Sequence, residues 1–361
     1  MSDITDQNPD VYWIVDGRKY GRKIDALLAA QKTTSTVEFN YYNNQFNAFN
    51  WIDEPIESFE ELATQRAYQL RESNKYLRLW YSGGADSHTM LQAFLLNKIH
   101  VDEIVMVRTS PSNDFNDQIL NRESNLRSLP YIRSIRNQIP KTKISVVDIT
   151  ANQYLDYYKN TEWFNEVLSY DFCDDPGLLL GSRYAIEKYT SLKMMPGTVE
   201  LSAADKPKVI RKDGVYYAPI VDSSFQYTYW ANVKEFFTTP EFPALHSKQS
   251  HELKHIIERW YPDGDVTHDI YNPTMIDEEF KKEWYHCCRH VLNYDIDYGK
   301  GWSLFGPKIQ LRIQDAKKNN PELLDVFMRP LKELQPMISN HWKDGDSPVS
   351  GILANVYSLG K

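Results

Sequence analysis

The sequence is poor in cysteine. Its 361 residues include only Cys173, Cys287 and Cys288. Three cysteines exclude a disulfide framework, and their spacing lacks the C-x-x-C pattern of zinc and redox sites. A reducing, cytoplasmic setting is therefore expected.

Long apolar runs and an excess of positive charge are missing as well. The formal net charge is −8, which argues against a protein that coats nucleic acid or an anionic membrane through its overall field. No segment approaches the roughly 18 apolar residues that a membrane span requires. The opening MSDITDQNPD also lacks the apolar core of a secretory signal. The sequence predicts a globular protein without a membrane partner.

Two common nucleotide-binding motifs are absent. The chain contains neither G-x-x-x-x-G-K-[ST] nor the dinucleotide pattern G-x-G-x-x-G. Transfer of a γ-phosphate by a kinase-like mechanism is therefore disfavoured.

Apolar segments alternate with helical patterns in the middle of the chain. Strands are predicted at 76–81, 103–107, 143–149 and 198–202, and a hairpin at 208–217. Strands that alternate with helices favour a parallel sheet with right-handed crossovers. We therefore expect an α/β fold with a Rossmann-like parallel sheet.

Three domains are expected. Residues 1–70 form a small N-terminal α+β unit and a linker helix, in which Ser58 and Glu61 have the spacing of a capping box. Residues 71–225 contain the parallel sheet. Residues 226–361 show helical apolar spacing and many prolines, which predicts a helical C-terminal domain.

The segment between the first main strand and its helix reads SGGADS, residues 82–87. At such a junction, backbone N–H groups and the positive end of the helix dipole point to one place, which suits phosphate oxygens. Gly83 and Gly84 let the main chain approach an anion closely. Ser82 and Ser87 add hydroxyl donors.

Asp86 would repel a phosphate unless a divalent cation lay between them, and a Mg²⁺ ion held by Asp86 resolves the conflict. The structural alternative is a tight turn in which Ser82 or Asp86 only caps the helix. Five residues of these types coincide by chance in roughly one chain in two thousand of this length. The sequence therefore favours a phosphate-binding loop.

SGGADS resembles the S-G-G-x-D-S motif of the PP-loop ATP pyrophosphatases. This superfamily includes asparagine, GMP and NAD synthetases, tRNA-modifying ligases and thiolases, and relatives of phosphoadenylylsulfate reductase. The resemblance covers about residues 76–222, and the chain is also similar to phage-encoded PP-loop proteins labelled reductase-like. It implies a sheet of the HUP type and cleavage of ATP between its α and β phosphates, with Mg²⁺, to activate a substrate oxygen as an adenylate.

The resemblance also implies roles for individual residues. The pyrophosphate would be held by Ser82, Gly83, Gly84, Ala85, Asp86 and Ser87, and the adenine would be bordered by Val107, Arg108 and Thr109. Many relatives have lysine where this chain has Ala85, so another cation is needed.

Lys206 is the leading candidate for that cation. Asp205 and Lys206 follow the strand predicted at 198–202, so they would open at the same sheet edge as the glycine loop. An equally favoured alternative is that Asp205 and Lys206 form only a solvated turn before the hairpin. Arg108, Arg183 and Arg211 are less favoured candidates for the same role.

Each branch of the superfamily needs its own second catalytic group, and the groups that this chain lacks narrow the choice of reaction. A sulfonucleotide reductase needs a late cysteine in an E-C-G-x-H setting, and no cysteine follows Cys288. A glutaminase of the asparagine synthetase kind needs an N-terminal cysteine, where this chain has Ser2 after Met1. The leading hypothesis is therefore an ATP-dependent ligase or amidating enzyme that adenylates a small molecule or nucleobase. The alternatives are a non-catalytic AMP- or ATP-binding module, an enzyme that modifies nucleic acid or nucleobases, and a reductase-like sulfonucleotide-binding protein.

Two further residue groups have plain structural interpretations. Arg122, Arg133 and Arg136 could share one face of the helices at about 117–138, although Pro130 is expected to break the helix between them. A solvated face is favoured over a strip for nucleic-acid phosphates or a second anionic substrate. The histidines that could suit a metal are expected to be packing or surface residues instead: His246, His251 and His255.

Overall fold

The structure is a computed structural model that describes residues 9–21, 23–110, 124–150, 192, 196–203, 207–221, 232–271, 277–289 and 353–361. Its strands are β1 (Val11–Val15), β2 (Arg18–Tyr20), β3 (Glu38–Tyr41), β4 (Tyr76–Trp80), β5 (Glu103–Ser110), β6 (Lys143–Thr150), β7 (Thr198–Ser202), β8 (Ile210–Lys212), β9 (Val215–Val221), β10 (Val233–Glu235) and β11 (Leu353–Ser358). Its α-helices are α1 (Lys23–Thr33), α2 (Asn43–Asn47), α3 (Phe59–Ser73), α4 (Ala85–Leu95), α5 (Leu129–Ser134), α6 (Pro243–Trp260) and α7 (Glu278–Arg289). A π-helical turn spans Ser124–Ser128 and a 3-10 helix spans His268–Tyr271.

A five-stranded, all-parallel sheet has the strand order β10-β7-β4-β5-β6. In its centre, Leu79 of β4 lies opposite Ile104 of β5 and Leu201 of β7. The four predicted parallel strands are therefore confirmed, and so is a Rossmann-like α/β fold.

Burial explains the strands around the SGGADS loop. On β4, Leu77 and Leu79 are fully buried, and the neighbouring strand β5 buries three successive residues, Ile104 to Met106. Burial of successive residues is typical of parallel strands covered on both faces. Helix α4 is buried from Ser87 to Phe94. The loop is thus fixed between two buried elements.

The strand order places a topological switch point at β4. The chain passes from β4 to β5 and β6 on one side, and then returns to β7 on the other side of β4. In open α/β sheets, ligands bind in the crevice outside the carboxyl ends of the strands at such a point. The SGGADS loop follows the carboxyl end of β4.

The described residues divide into two compact units. One contains the described residues up to Gln69, those from Ser202 to Arg289 and those from Leu353 onward, and the other contains those from Leu70 to Leu201. The domain boundaries expected near 70 and 225 stay predictions. No helix within the described ranges is long and apolar enough to cross a bilayer.

The first unit contains two antiparallel sheets, with the orders β2-β1-β3 and β11-β9-β8. The second sheet confirms the predicted hairpin, whose strands are β8 and β9. Strands β1 to β3 and helices α1 and α2 lie within residues 1–70, and a separate N-terminal unit there stays a prediction. The capping box is also present, because the Ser58 N–H donates to Glu61 Oε2 at 2.8 Å and the Glu61 N–H donates to Ser58 Oγ at 3.2 Å. The region beyond 225 contains α6 and α7 but also β10 and β11, which were not predicted. Strand β11 depends on pairing with the distant β9.

A buried row of charges crosses the parallel sheet. Arg78 of β4 donates to Glu103 of β5 at 2.9 Å and to Glu200 of β7 at 2.8 Å, and all three residues are at most 2% exposed. Burial alone would raise the pKa of Glu103, but hydrogen bonds from Ser145, Lys143 and Arg78 outweigh burial and lower the pKa to about 2. The carboxylate is therefore held ionised inside the sheet.

This low pKa predicts acid sensitivity. A carboxylate whose pKa falls from 4.5 to about 2 on folding stabilises the protein above pH 4.5, and this contribution is lost as the pH falls towards 2. We expect Glu103 to account for a loss of about 3 kcal/mol in the free energy of unfolding across that window. Denaturant unfolding between pH 5 and pH 2 measures it, with Glu103→Gln as the comparison. An equally steep pH dependence in the variant would contradict the assignment.

Candidate functional site

The SGGADS loop joins the end of β4 to the start of α4. Gly84 is the N-cap residue, with an extended backbone (φ −74°, ψ 165°) and no side-chain capping bond. A glycine N-cap cannot accept from the first N–H groups of its helix, which most N-cap side chains do. The first turn of α4 therefore begins without a side-chain cap.

The two serines of the loop brace it internally. Their hydroxyl oxygens are 3.1 Å apart, and the Ser82 N–H donates to Ser87 Oγ at 3.2 Å. The Gly84 N–H donates to Ser82 Oγ at 3.1 Å. Gly84 is the N-cap residue, so this N–H is not one of the amides of α4. Ser82 is exposed and Ser87 is buried. The capping role considered for Ser82 is thus replaced by a bond within the loop.

Gly83 is required by the fold itself. Its φ is +87°, in a region that residues with a side chain rarely adopt. A Cβ atom there would lie 2.8 Å from the Ser128 backbone nitrogen and 3.2 Å from Arg127 Cβ. The backbone of the π-helical turn therefore packs directly against the loop.

We expect Gly83→Ala to lower the free energy of unfolding by about 2–5 kcal/mol, because backbone strain adds to a clash with a main-chain atom. Gly214→Ala is the matched control. Gly214 has φ +74° in the β8–β9 hairpin, with nothing within 4 Å of the Cβ position, so only strain of about 1–2 kcal/mol is expected. Chemical denaturation of both variants measures the difference. Equal losses would contradict the close packing on Ser128.

The same π-helical turn also reaches β5. The Ser124 hydroxyl donates to the Val107 carbonyl at 3.2 Å. One short segment thus contacts both the loop and the strand end predicted to border adenine. Single π turns are frequent at functional sites. Nothing in the sequence marks this turn. Of the helices predicted at about 117–138, the described residues show helical structure from Ser124 to Ser134.

The predicted adenine-bordering residues lie in the part of β5 that extends beyond β4. Trp80, the last residue of β4, pairs with Val105, and Val107 to Thr109 pair with β6. Arg108 Nε lies 3.5 Å from Asp148 Oδ1 of β6. The Arg108 guanidinium thus has a carboxylate beside it, which makes Arg108 a weaker candidate for the cation that would stabilise the phosphates.

The remaining cation candidates divide into two groups. Asp205, Lys206, Arg122 and Arg183 lie outside the described residues. Arg211 of β8 donates to the carbonyls of Gly264 and Tyr261, both at 2.6 Å. Arg211 is therefore a structural residue of the antiparallel sheet.

A polar chain lies behind the loop, on the α4 side of β4. Tyr81 Oη and His88 Nδ1 are 3.0 Å apart, His88 Nε2 and Gln92 Nε2 are 3.2 Å apart, and Gln92 donates to Tyr131 Oη of α5. Burial lowers the pKa of His88 to about 4, so the imidazole is neutral at pH 7. This chain ties the end of β4 to α4 and α5. Sequence reasoning missed it, because a histidine just after the motif indicates no partner.

Among the described residues, Arg133 and Arg136 do not share a helical face. Arg133 lies near the end of α5, but Arg136 follows the helix and donates to the carbonyls of Ile139 and Thr142 at 3.2 and 2.7 Å. Arg136 thus closes a turn, because the helix stops at Ser134.

The three histidines of α6 have protein partners, as expected of packing and surface residues. His251 Nε2 is 2.9 Å from the Trp51 carbonyl, and the other two contact Thr238, Glu54 and Glu258. Within the described ranges, no group of three or more His, Cys, Asp or Glu side chains is arranged to hold a metal.

Fold and loop together define a Rossmann-like α/β protein with a glycine-containing strand-to-helix loop at the switch point of its parallel sheet. Comparison with family models, with curated proteins and with solved structures finds no match.

Proposed function

We propose that the chain is a PP-loop ATP pyrophosphatase of the HUP type, which cleaves ATP to AMP and pyrophosphate and adenylates a substrate. The observation that carries the proposal is the position of SGGADS. The loop starts a buried helix at the switch point, and its N-cap residue is a glycine. These features favour an anion at the N-terminus of α4.

The loop offers a specific set of groups to a triphosphate. The first-turn amides of α4 and the exposed Ser82 hydroxyl suit the phosphate oxygens. Asp86 is a half-buried carboxylate in that first turn. Its oxygen donors fit Mg²⁺, which commonly takes one or two carboxylates and completes its shell with phosphates and water. When bound, Mg²⁺ neutralises charge on the phosphates.

The reaction proposed for this site is transfer of the adenylyl group. A substrate oxygen forms a bond to the α-phosphorus, the bond from that phosphorus to the bridging oxygen breaks, and pyrophosphate leaves with the electron pair. A nucleophile then displaces AMP from the adenylate. Lys206, after β7, is proposed to stabilise the charge that develops at the α-phosphate.

Release of pyrophosphate and AMP from ATP tests the proposal. The protein is incubated with MgATP and a panel of carboxylates, amides and nucleobases, and both products are quantified. Equal amounts of AMP and pyrophosphate, dependent on one class of acceptor, would support adenylation. Release of ADP and phosphate would contradict it, and saturable ATP binding without turnover would favour a non-catalytic module.

A further inference from the structure

Trp80, the residue before Tyr81 and the loop, is held in a fixed orientation. Its indole Nε1–H donates to Glu200 Oε2 at 2.5 Å, and Glu200 accepts from Arg78 at 2.8 Å. An indole at a half-buried position can satisfy its N–H with water. Here it uses a carboxylate whose burial is costly unless paired. The bond therefore fixes the direction of the ring rather than merely satisfying a donor.

Trp80 lies on the opposite side of the sheet from α4. Side chains alternate along a strand, so Trp80 shares a face with Arg78, while Tyr81 faces His88 of α4. The bond to Glu200 directs the indole towards β7, the neighbour of β4 at which the strand order reverses. The ring thus lies at the switch point, where α/β sheets bind ligands.

Trp80 keeps part of its surface exposed. Trp80 is half-buried, in contrast to the fully buried Leu79 beside it. Among the described residues, Glu200 is its one hydrogen-bond partner, and no aromatic or cationic side chain stacks on the indole. A rigid, partly exposed aromatic ring next to a phosphate-binding loop suits a planar ligand.

We propose that the Trp80 indole is a stacking surface for a planar aromatic ring of a ligand whose phosphate or adenylate is held at the SGGADS loop. The inference rests on the proposed function, which brings such a ligand to the loop. The ring has two sources: an aromatic ring of the acceptor, such as a nucleobase, or the adenine of ATP, which would then lie on the β7 side of β4 and not beside the β5 residues predicted to border it.

Binding of ATP and of tripolyphosphate, each with Mg²⁺, to the wild type and to Trp80→Leu tests the proposal by calorimetry. Because the leucine variant loses the stacking contact, we expect its affinity for a ligand that carries the ring to fall by roughly 5- to 150-fold. Tripolyphosphate should bind equally to both proteins. Trp80→Phe is the matched variant, since it keeps an aromatic face and loses the bond to Glu200, and it should retain most of the affinity.

A second arm separates the two sources of the ring. Adenosine, guanosine, cytidine and uridine are titrated into each protein in the presence of saturating MgATP. A loss confined to ATP assigns the stacked ring to adenine, and a loss confined to one nucleoside assigns it to the acceptor.

Three outcomes would overturn the stacking role. The first is unchanged affinity of Trp80→Leu for every ring-bearing ligand, and the second is an equal loss for ATP and tripolyphosphate. The third is a wild type that binds tripolyphosphate as tightly as ATP and binds no nucleoside, which removes the stacking role alone. A wild type that binds neither ATP nor tripolyphosphate would remove the proposed function with it.

Discussion

Replacement of Asp86 by asparagine is expected to reduce Mg²⁺-dependent pyrophosphate release from ATP by about a hundredfold or more, because a neutral amide oxygen is a poor ligand for Mg²⁺. The fold should persist. Asp86 is a half-buried residue of the first turn of α4, so the variant loses a charge that favours the helix dipole, at a cost of about 0.3–1 kcal/mol. Initial rates and thermal unfolding of the same sample measure both effects.

The matched control is Asp25→Asn. Asp25 also lies in the first turn of a helix, α1, and should show a similar small loss of stability with full activity. Full pyrophosphate release by Asp86→Asn would contradict the metal-binding role of Asp86. A large loss of stability in that variant would assign a structural role instead.

Replacement of Arg78 by methionine is expected to lower the free energy of unfolding by about 3–5 kcal/mol, because it leaves two buried carboxylates without their shared cation. Glu103 and Glu200 both accept from Arg78, and neither has access to bulk water. Chemical denaturation at pH 7 measures the loss.

Arg259→Met provides the control for the same substitution at a surface. Arg259 pairs with Glu283 at 2.6 Å, but their side chains are 63% and 42% exposed, so a change within about 1 kcal/mol is expected. Adding Glu103→Gln and Glu200→Gln to Arg78→Met should recover part of the loss. An Arg78→Met variant as stable as Arg259→Met would show that the buried row is not needed for folding.

Local patterns were sufficient to predict the parallel sheet and the placement of the loop. The strand segments are mainly apolar and alternate with helical segments, and the motif lies between one strand and its helix, so their order alone indicated the α/β class. The buried row could not be predicted. Arg78 and Glu200 are 122 positions apart, and only the register of β4 against β7 brings them together.

The site shows the same division between local and distant information. The sequence indicated which residues form the loop, but not that Gly83 is also required by its contact with Ser128. It did not indicate the serine-to-serine bond, or the chain from Tyr81 to Tyr131. The fold alone therefore explains Gly83, and phosphate binding is a second explanation for the paired glycines. Direct observation of a bound ligand distinguishes the two explanations.

Amide NMR of protein labelled only with [¹⁵N]glycine makes that observation. The chain has fifteen glycines, and Gly84→Ala assigns one resonance of the motif. Saturable shifts of the Gly83 and Gly84 amides on addition of Mg²⁺ and ATP or tripolyphosphate, with Gly17 and Gly214 unchanged, are the expected result. Unmoved Gly83 and Gly84 resonances at saturating ATP would contradict phosphate binding by this loop.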